Sequence, residues 1–445
     1  MGGRSHPFFI KEVMKVKNTY LVILVILIFV CRFDENAIEN QNIQKEQNSI
    51  SSELSNEVEP EKIDSLAIGD YENIESIEIV NTIKGKQDTN IIERQMNLET
   101  QEIQTEEFIK GIYLTAYKTA SKDFENILDM ADSAGINTVV FDLKNMNGDV
   151  FFRMPQNRLL TQQNLKPIID IDSVVKKLHA RNMKAVSRMV MFHDMFNANA
   201  DSSLTPGHPD GSSWVESKKR GPAWLDSSNP VVQDYLLDLI QHVAKSGVDE
   251  IQLDYIRFPT QGNAKNAVFY FQKADYMMLQ QDSTYVIRSR ADIISGFLRR
   301  VRKICQKYDV LLTADVFAIV AWQRQPDIAS TGQDMKKMSR NLDYIHPMIY
   351  SSHFADNFGH RQNVANEPYF ILYKGTKLTM KNSADNCAVV PYIQANSWKV
   401  NYGKEFVIAQ VRAIEELKAG GYILWNSSNR YKKTLTWLKE YYQSN

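Results

Sequence analysis

Two aspartates, Asp254 and Asp315, stand near the ends of segments in which apolar and polar residues alternate. In EIQLDYIRFP, Ile251 and Leu253 alternate with Gln252 and Asp254, and in LLTADVFAI the same pattern groups Thr313 with Asp315. An extended chain sends successive side chains to opposite faces, so each Asp shares a face with the polar residue two positions before it. If these segments are adjacent strands, about 4.8 Å apart, their carboxylates reach the separations used in glycosidic cleavage. Those are about 5 to 5.5 Å with retention of configuration and roughly 6.5 to 9.5 Å with inversion. One acid then ionises and attacks or activates water, while the other, raised in pKa by burial and by its neighbour's charge, donates a proton. The structural alternative for each is a helix cap or a salt bridge with Arg257.

Asp142, in VVFDLKN, is a third carboxylate, two residues before Lys144 and so on the same strand face. Sugar binding, support of the site or simple pairing with Lys144 are its expected roles. His193 and Asp194 open a long polar insertion that carries Trp214 and Trp224, whose flat rings suit sugar faces. Tyr117, Arg257, Tyr350, Gln394, Trp425 and Asn426 complete the polar and aromatic residues late in the strands, expected to line a substrate cleft. Other chemistries find less support. The first strand ends without an HxH pair, and His193, His346 and His353 lack ligand spacing. A GxSxG elbow is missing, and neither Cys305 nor Cys387 falls at a strand end. No metal or cofactor is called for by this pattern.

The elements that must position these residues are eight short runs rich in β-branched and aromatic residues, covering 111–117, 137–145, 184–192, 249–259, 310–320, 343–350, 388–396 and 421–428. Amphipathic segments such as FENILDMADSAG, VVQDYLLDLIQHVAKSG and EFVIAQVRAIEELKAGG lie between them. Gly135, Asn182, Gly247 and Gly421 stand just before strands, where αβ turns demand residues tolerant of positive φ. Eight βα units predict a (β/α)8 TIM barrel with loop insertions. A doubly wound sheet is second, because the first strand lacks a GxGxxG turn.

Ahead of the barrel, the apolar run Tyr20 to Cys31 follows Lys11, Lys15 and Lys17. About a dozen apolar residues suit a secretory signal better than a spanning helix, which needs about 20. Cleavage, retention as an anchor and lipidation of Cys31 are its three fates. Residues 34–107 are rich in Asn, Gln, Glu and Ser, a composition that cannot bury enough apolar surface to offset ordering. The chain therefore divides into a signal or anchor (1–33), a polar linker (34–107) and a barrel (108–445). Export follows, to the cell envelope or the medium, with membrane contact only through the N-terminal segment. A net charge of −1 gives no footprint for nucleic acid. Three cysteines without paired spacing make a disulfide framework or a zinc site improbable.

Taken in order, KGIYLTAY, NTVVFDLKNMNGDV, VSRMVMFHD, AWLDSSNPVVQDY, DEIQLDYIRFP, LTADVFAIVAW, TGQDM, DYIHPMIYSSHF, PYIQA and GYILWNSSNRY resemble a bacterial family of glycoside-hydrolase-like barrels. The family is a domain of unknown function related to the retaining α-amylase and α-galactosidase clans. The resemblance spans about 110–440 and omits no strand. It implies a carbohydrate substrate and, by position, Asp254 as nucleophile after strand 4 and Asp315 as acid/base after strand 5. Asp315 departs from the amylase-type acid, a Glu, by one methylene. The leading expectation is an exported, retaining glycoside hydrolase acting on a polysaccharide or cell-envelope glycan. A non-catalytic glycan-binding barrel is the alternative, and a lyase or transglycosidase a weaker third.

Overall fold

β-Branched and aromatic residues pack well on a pleated surface, and here they form nine segments that make eight staves. In the computed structural model, which describes residues 107–444 except 218 and 220, these are β1 Ile109–Leu114, β2 Thr138–Lys144, β3 Lys184–Val190, β4 Glu250–Asp254, β5 Leu311–Phe317, β6 Tyr344–Met348, β7 Ala388–Val389, β8 Tyr392–Gln394 and β9 Gly421–Trp425. β7 and β8 are two pieces of the seventh stave. Pro391, which has no N–H to give the ladder, stands at the break. Every pairing between the segments is parallel. β1 pairs with both β2 and β9, and β5 with both β4 and β6, so the sheet closes on itself.

Helices α1 Phe124–Ser133, α2 Ile171–His179, α3 Pro230–Ala244, α4 Arg290–Tyr308, α5 Met335–Ser339, α6 Pro368–Asn382, α7 Lys404–Glu416 and α8 Lys432–Ser444 return the chain from one stave to the next or, for α8, end it. Local chemistry sets their ends. Asn229 caps α3 through the Val231 N–H with Pro230 in the first turn, and Ser289 and Asp292 cap α4 reciprocally. This is the (β/α)8 barrel expected from the alternation of patterns. Several strands are shorter than expected, since the 249–259 run stops pairing at Asp254 and the 421–428 run at Trp425.

Apolar side chains fall into two layers, as period 2 requires. Ile112, Leu114, Val139, Phe141, Ile251 and Leu253 face outward into the sheet–helix core, whereas Ile109, Val140, Val186, Tyr344, Val390 and Ile423 fill the barrel interior. The four αβ-turn positions named from sequence, Gly135, Asn182, Gly247 and Gly421, all have positive φ. Gly421 has no substitute: a Cβ there would stand 2.1 Å from the Ile109 carbonyl oxygen across the β1–β9 seam. Cys305 and Cys387 are buried and free, with burial pushing both thiols up to about 12. Among the described residues no helix is long and apolar enough to cross a membrane. The apolar run Tyr20 to Cys31 and the 34–107 linker lie outside the described residues.

Candidate active site

β3 contributes a residue on which the mouth of the barrel is organised. Period 2 from interior Val186 places Arg188 inside, half-buried between neighbouring staves. Its Nη1 donates to Asp142 on β2 at 2.5 Å, and its Nη2 makes a short contact with Asp254 on β4. Its Nε lies 3.7 Å from Asp315 Oδ2 on β5. One guanidinium thus faces three carboxylates. Burial works against its charge, but Asp142 and Asp254 hold it well above the ordinary arginine value.

Each carboxylate has different company. Asp142 also accepts from the Tyr113 hydroxyl at 2.6 Å, and burial raises its pKa despite Arg188. Asp254 accepts from the N–H of Tyr255 at 2.6 Å, and Tyr255 is held at a φ of 51°, a left-handed conformation rare for an aromatic residue. Asp315 is fully enclosed. Its Oδ1 accepts from Gln252 Nε2 at 2.8 Å, the Gln252 oxygen accepts in turn from Tyr392 at 3.1 Å, and its Oδ2 has no hydrogen-bond partner. Burial, and then the charge of Asp254, raise Asp315 well above the carboxylate range. Enclosure of this kind favours the protonated form, and the unpartnered oxygen is where a proton can be offered.

Beneath this layer, Thr313 donates to Glu250 at 2.6 Å and His346 lies 3.3 Å from the same carboxylate, tying β4, β5 and β6 together. Beside it, the ends of β6, β8 and β9 bound a cavity of about 300 Å³ lined by Tyr350, His353, Gln394, Trp398 and Trp425. Tyr350 and Trp425 lie with ring centres 5.0 Å apart. Half of Trp398 is exposed, with its ring edge-on to His353.

A family model described as "Putative glycosyl hydrolase domain" matches residues 111–431, from the first stave through the turn after the last. The chain belongs to this family. Solved structures add the fold of the glycosyl hydrolase domain. The PgaB (BpsB) glycoside hydrolase domain from Bordetella bronchiseptica is 12% identical, with 75% of this chain and 98% of that chain covered and a TM-score of 0.55. The β-galactosidase from Marinomonas ef1 is 8% identical, with 75% and 58% covered and a TM-score of 0.52. A hypothetical protein from Ruminiclostridium thermocellum ATCC 27405 reaches 28% identity over 46% of this chain and 97% of its own, with a TM-score of 0.38. A comparison with curated proteins found no match.

The barrel brings together Asp142, Asp254 and Asp315, and beside them Tyr350, Gln394 and Trp425. Gln394 is occupied in holding the loop, accepting from Ser352 Oγ at 2.8 Å and donating to the Trp398 carbonyl at 3.0 Å. Asp254 pairs with Arg188 rather than Arg257. The guanidinium of Arg257 instead lies among Trp224, Tyr255 and Phe317. Nor does Lys144 pair with Asp142: the β2–β3 register shifts between them, turning Lys144 away to a fully buried ion pair with Asp194 at 3.0 Å. Asp194 also caps the helix Met195–Ala200. Both residues therefore anchor the base of the insertion. Trp214 is buried with its Nε1 on the Asn263 carbonyl at 2.9 Å, whereas His193 packs edge-on against Trp224. Asn426 donates to the Ala395 carbonyl and shapes the turn after β9. Tyr117 is exposed and its ring leans on Phe151. Sequence reasoning missed Arg188, Tyr113 and Tyr392; for Arg188 the strand gives no polar face as a signal, since apolar residues stand on both of its faces.

Proposed function

We propose that this domain hydrolyses a glycosidic bond in a polysaccharide or cell-envelope glycan with retention, Asp254 acting as nucleophile and Asp315 as acid/base. The observation that carries the proposal is the pair itself, two carboxyls at one guanidinium, of which one is in direct hydrogen-bond contact with it and the other is enclosed with an oxygen that has no hydrogen-bond partner. In the first step Asp254 attacks the anomeric carbon while Asp315 passes its proton to the departing oxygen. Asp254 then becomes an uncharged ester. One cause of the raised Asp315 value is the charge of Asp254, so ester formation removes it and lets Asp315 act as base toward water. Arg188, freed from that charge, keeps Asp142 as its counter-ion. Tyr350, Trp398 and Trp425 supply faces for sugar rings in this reading. It also places the domain outside the cytoplasm, on the strength of the Tyr20 to Cys31 run.

A glycan-binding barrel without turnover is the second reading, and the complete enclosure of Asp315 favours it. Release of reducing ends from a panel of polysaccharides and envelope glycans, measured beside binding to the same panel, separates the two. The hydrolase reading expects turnover on at least one bound glycan. Binding with no hydrolysis at any pH gives the case to the second.

A further inference from the structure

Arg257 follows Asp254 by three residues, and only 7% of its surface is exposed. An enclosed guanidinium is ordinarily neutralised by a carboxylate or held by several acceptors, because an unpaired buried charge is costly. Among the described residues, no acidic oxygen of Asp or Glu makes an ion pair with it; the charges of Asp254 and then Glu216 act on it at longer range. Among the described residues its five N–H donors make one hydrogen bond, from Nη1 to the Phe258 carbonyl at 3.0 Å. Its flanks are aromatic, with Phe317, Trp224 and Tyr255 ring centres 4.0, 4.6 and 5.3 Å from the guanidinium carbon. These rings stabilise a cation over their faces but accept nothing from its in-plane N–H groups. Burial pulls the group down to about 10, which leaves it charged at neutral pH.

Trp224 repeats the pattern. Its indole N–H is buried and has no acceptor. Two neighbouring side chains therefore hold donors with no protein acceptor among the described residues, and no carboxylate there pairs with them directly. A buried donor such as the Trp224 N–H is satisfied in almost every native fold, so an acceptor from outside the chain is the economical explanation. The ring of Tyr255, which touches the Arg257 site, belongs to the residue directly after Asp254, so a ligand group there would sit next to the proposed reacting bond.

We infer that Arg257, with Trp224, forms a subsite for an acidic substituent, carboxylate or sulfate, on the sugar beside the bond presented to Asp254. The flat fork of a guanidinium matches two oxygens of such a group, and its charge offsets the repulsion an acidic sugar would meet from Asp142 and Asp254. The inference takes the position of the bond from the hydrolase proposal, but binding at the subsite needs no turnover.

Calorimetric titration of the full chain with glucuronate, glucose 6-sulfate and glucose tests it. The acidic sugars are expected to bind about 10- to 100-fold tighter than glucose, the range of a charge-assisted contact. Arg257→Gln should abolish that preference, with Arg257→Lys intermediate. Whichever of carboxylate and sulfate binds tighter identifies the substituent. Trp224→Phe, which keeps a ring and deletes the N–H, should lower the preference severalfold and covers the case in which Arg257→Gln fails to fold. Equal affinity for glucose and both acids, or a full preference surviving in a folded Arg257→Gln, overturns the inference. Acid-selective binding without hydrolysis of any glycan would remove the hydrolase reading and leave the subsite. Hydrolysis of neutral glycans with no acid preference would do the reverse.

Discussion

Replacing Asp315 by Asn should stabilise the protein, and by more as the pH rises. The carboxyl is enclosed, one oxygen accepts from Gln252, and the other has no hydrogen-bond partner, so an amide reproduces its protonated form. Below about pH 4 both folded and unfolded chains hold this proton and Asp315 contributes no pH dependence. Between the unfolded value and the raised folded one, the unfolded chain releases a proton that the folded chain keeps. Unfolding is then favoured as pH rises, by about 1.4 kcal/mol per pH unit. Above the folded value the loss is complete and the curve levels. At about 2 °C per kcal/mol for a domain of this size, the wild type should fall behind Asp315→Asn by about 3 °C per pH unit within that window. Melting both proteins by circular dichroism from pH 4 to 8 reads the difference, and titration of the other groups largely cancels. Parallel melting curves would refute the reasoning, since they would mean that Asp315 is ionised in the fold and shares Arg188 as a third counter-charge.

Asp254→Asn and Asp315→Asn should each lower turnover by orders of magnitude on a cleaved glycan while its dissociation constant changes little, as measured by rate assay and calorimetry. Near wild-type turnover in either would make that residue structural and bring Asp142 forward. Azide should partly rescue Asp254→Gly and yield a glycosyl azide of inverted configuration, whereas Asp315→Ala should still cleave activated aryl glycosides to a reduced extent. An inverted hydrolysis product from the wild type, seen by NMR, would recast Asp254 as a general base. Lys144→Met, which strands buried Asp194, should cost about 3 to 5 kcal/mol in denaturant unfolding. Adding Asp194→Asn, which keeps the helix cap, should recover much of it.

Alternation carried the sequence reading well where one strand face was polar. In EIQLD and LLTAD the apolar positions declare the outer face, and Asp254 and Asp315 follow by elimination. KAVSRMV carries no such declaration. Both faces of a buried parallel strand are apolar, and Ala185, Val186, Met189 and Val190 show no bias that would mark Arg188 as pointing inward. Lys144 misled for another reason, because a register shift breaks period 2 between it and Asp142 and no residue type announces the shift. The aromatic and polar residues of the insertion could be placed near the mouth from topology alone. Which of them packs and which faces a ligand depends on depth: Trp214 finds a carbonyl from a distant loop at Asn263, while Trp224 finds none. Distances of that kind are set by loop geometry, over which a single sequence has little hold.

The buried ion pair between Lys144 and Asp194 also decides which side of the mouth can move. Swinging the insertion outward from its root would pull the two enclosed charges away from each other, and at about 3 kcal/mol or more fewer than one molecule in a hundred would stand open at any moment. The wall after β3 is in this sense a fixed jamb. Among the described residues no comparable latch crosses the opposite rim, where half of Trp398 lies open to solvent on a loop held by hydrogen bonds with neutral side chains. The two sides of the mouth therefore differ in stiffness, one fastened by an enclosed pair of charges and the other by neutral contacts that part at lower cost.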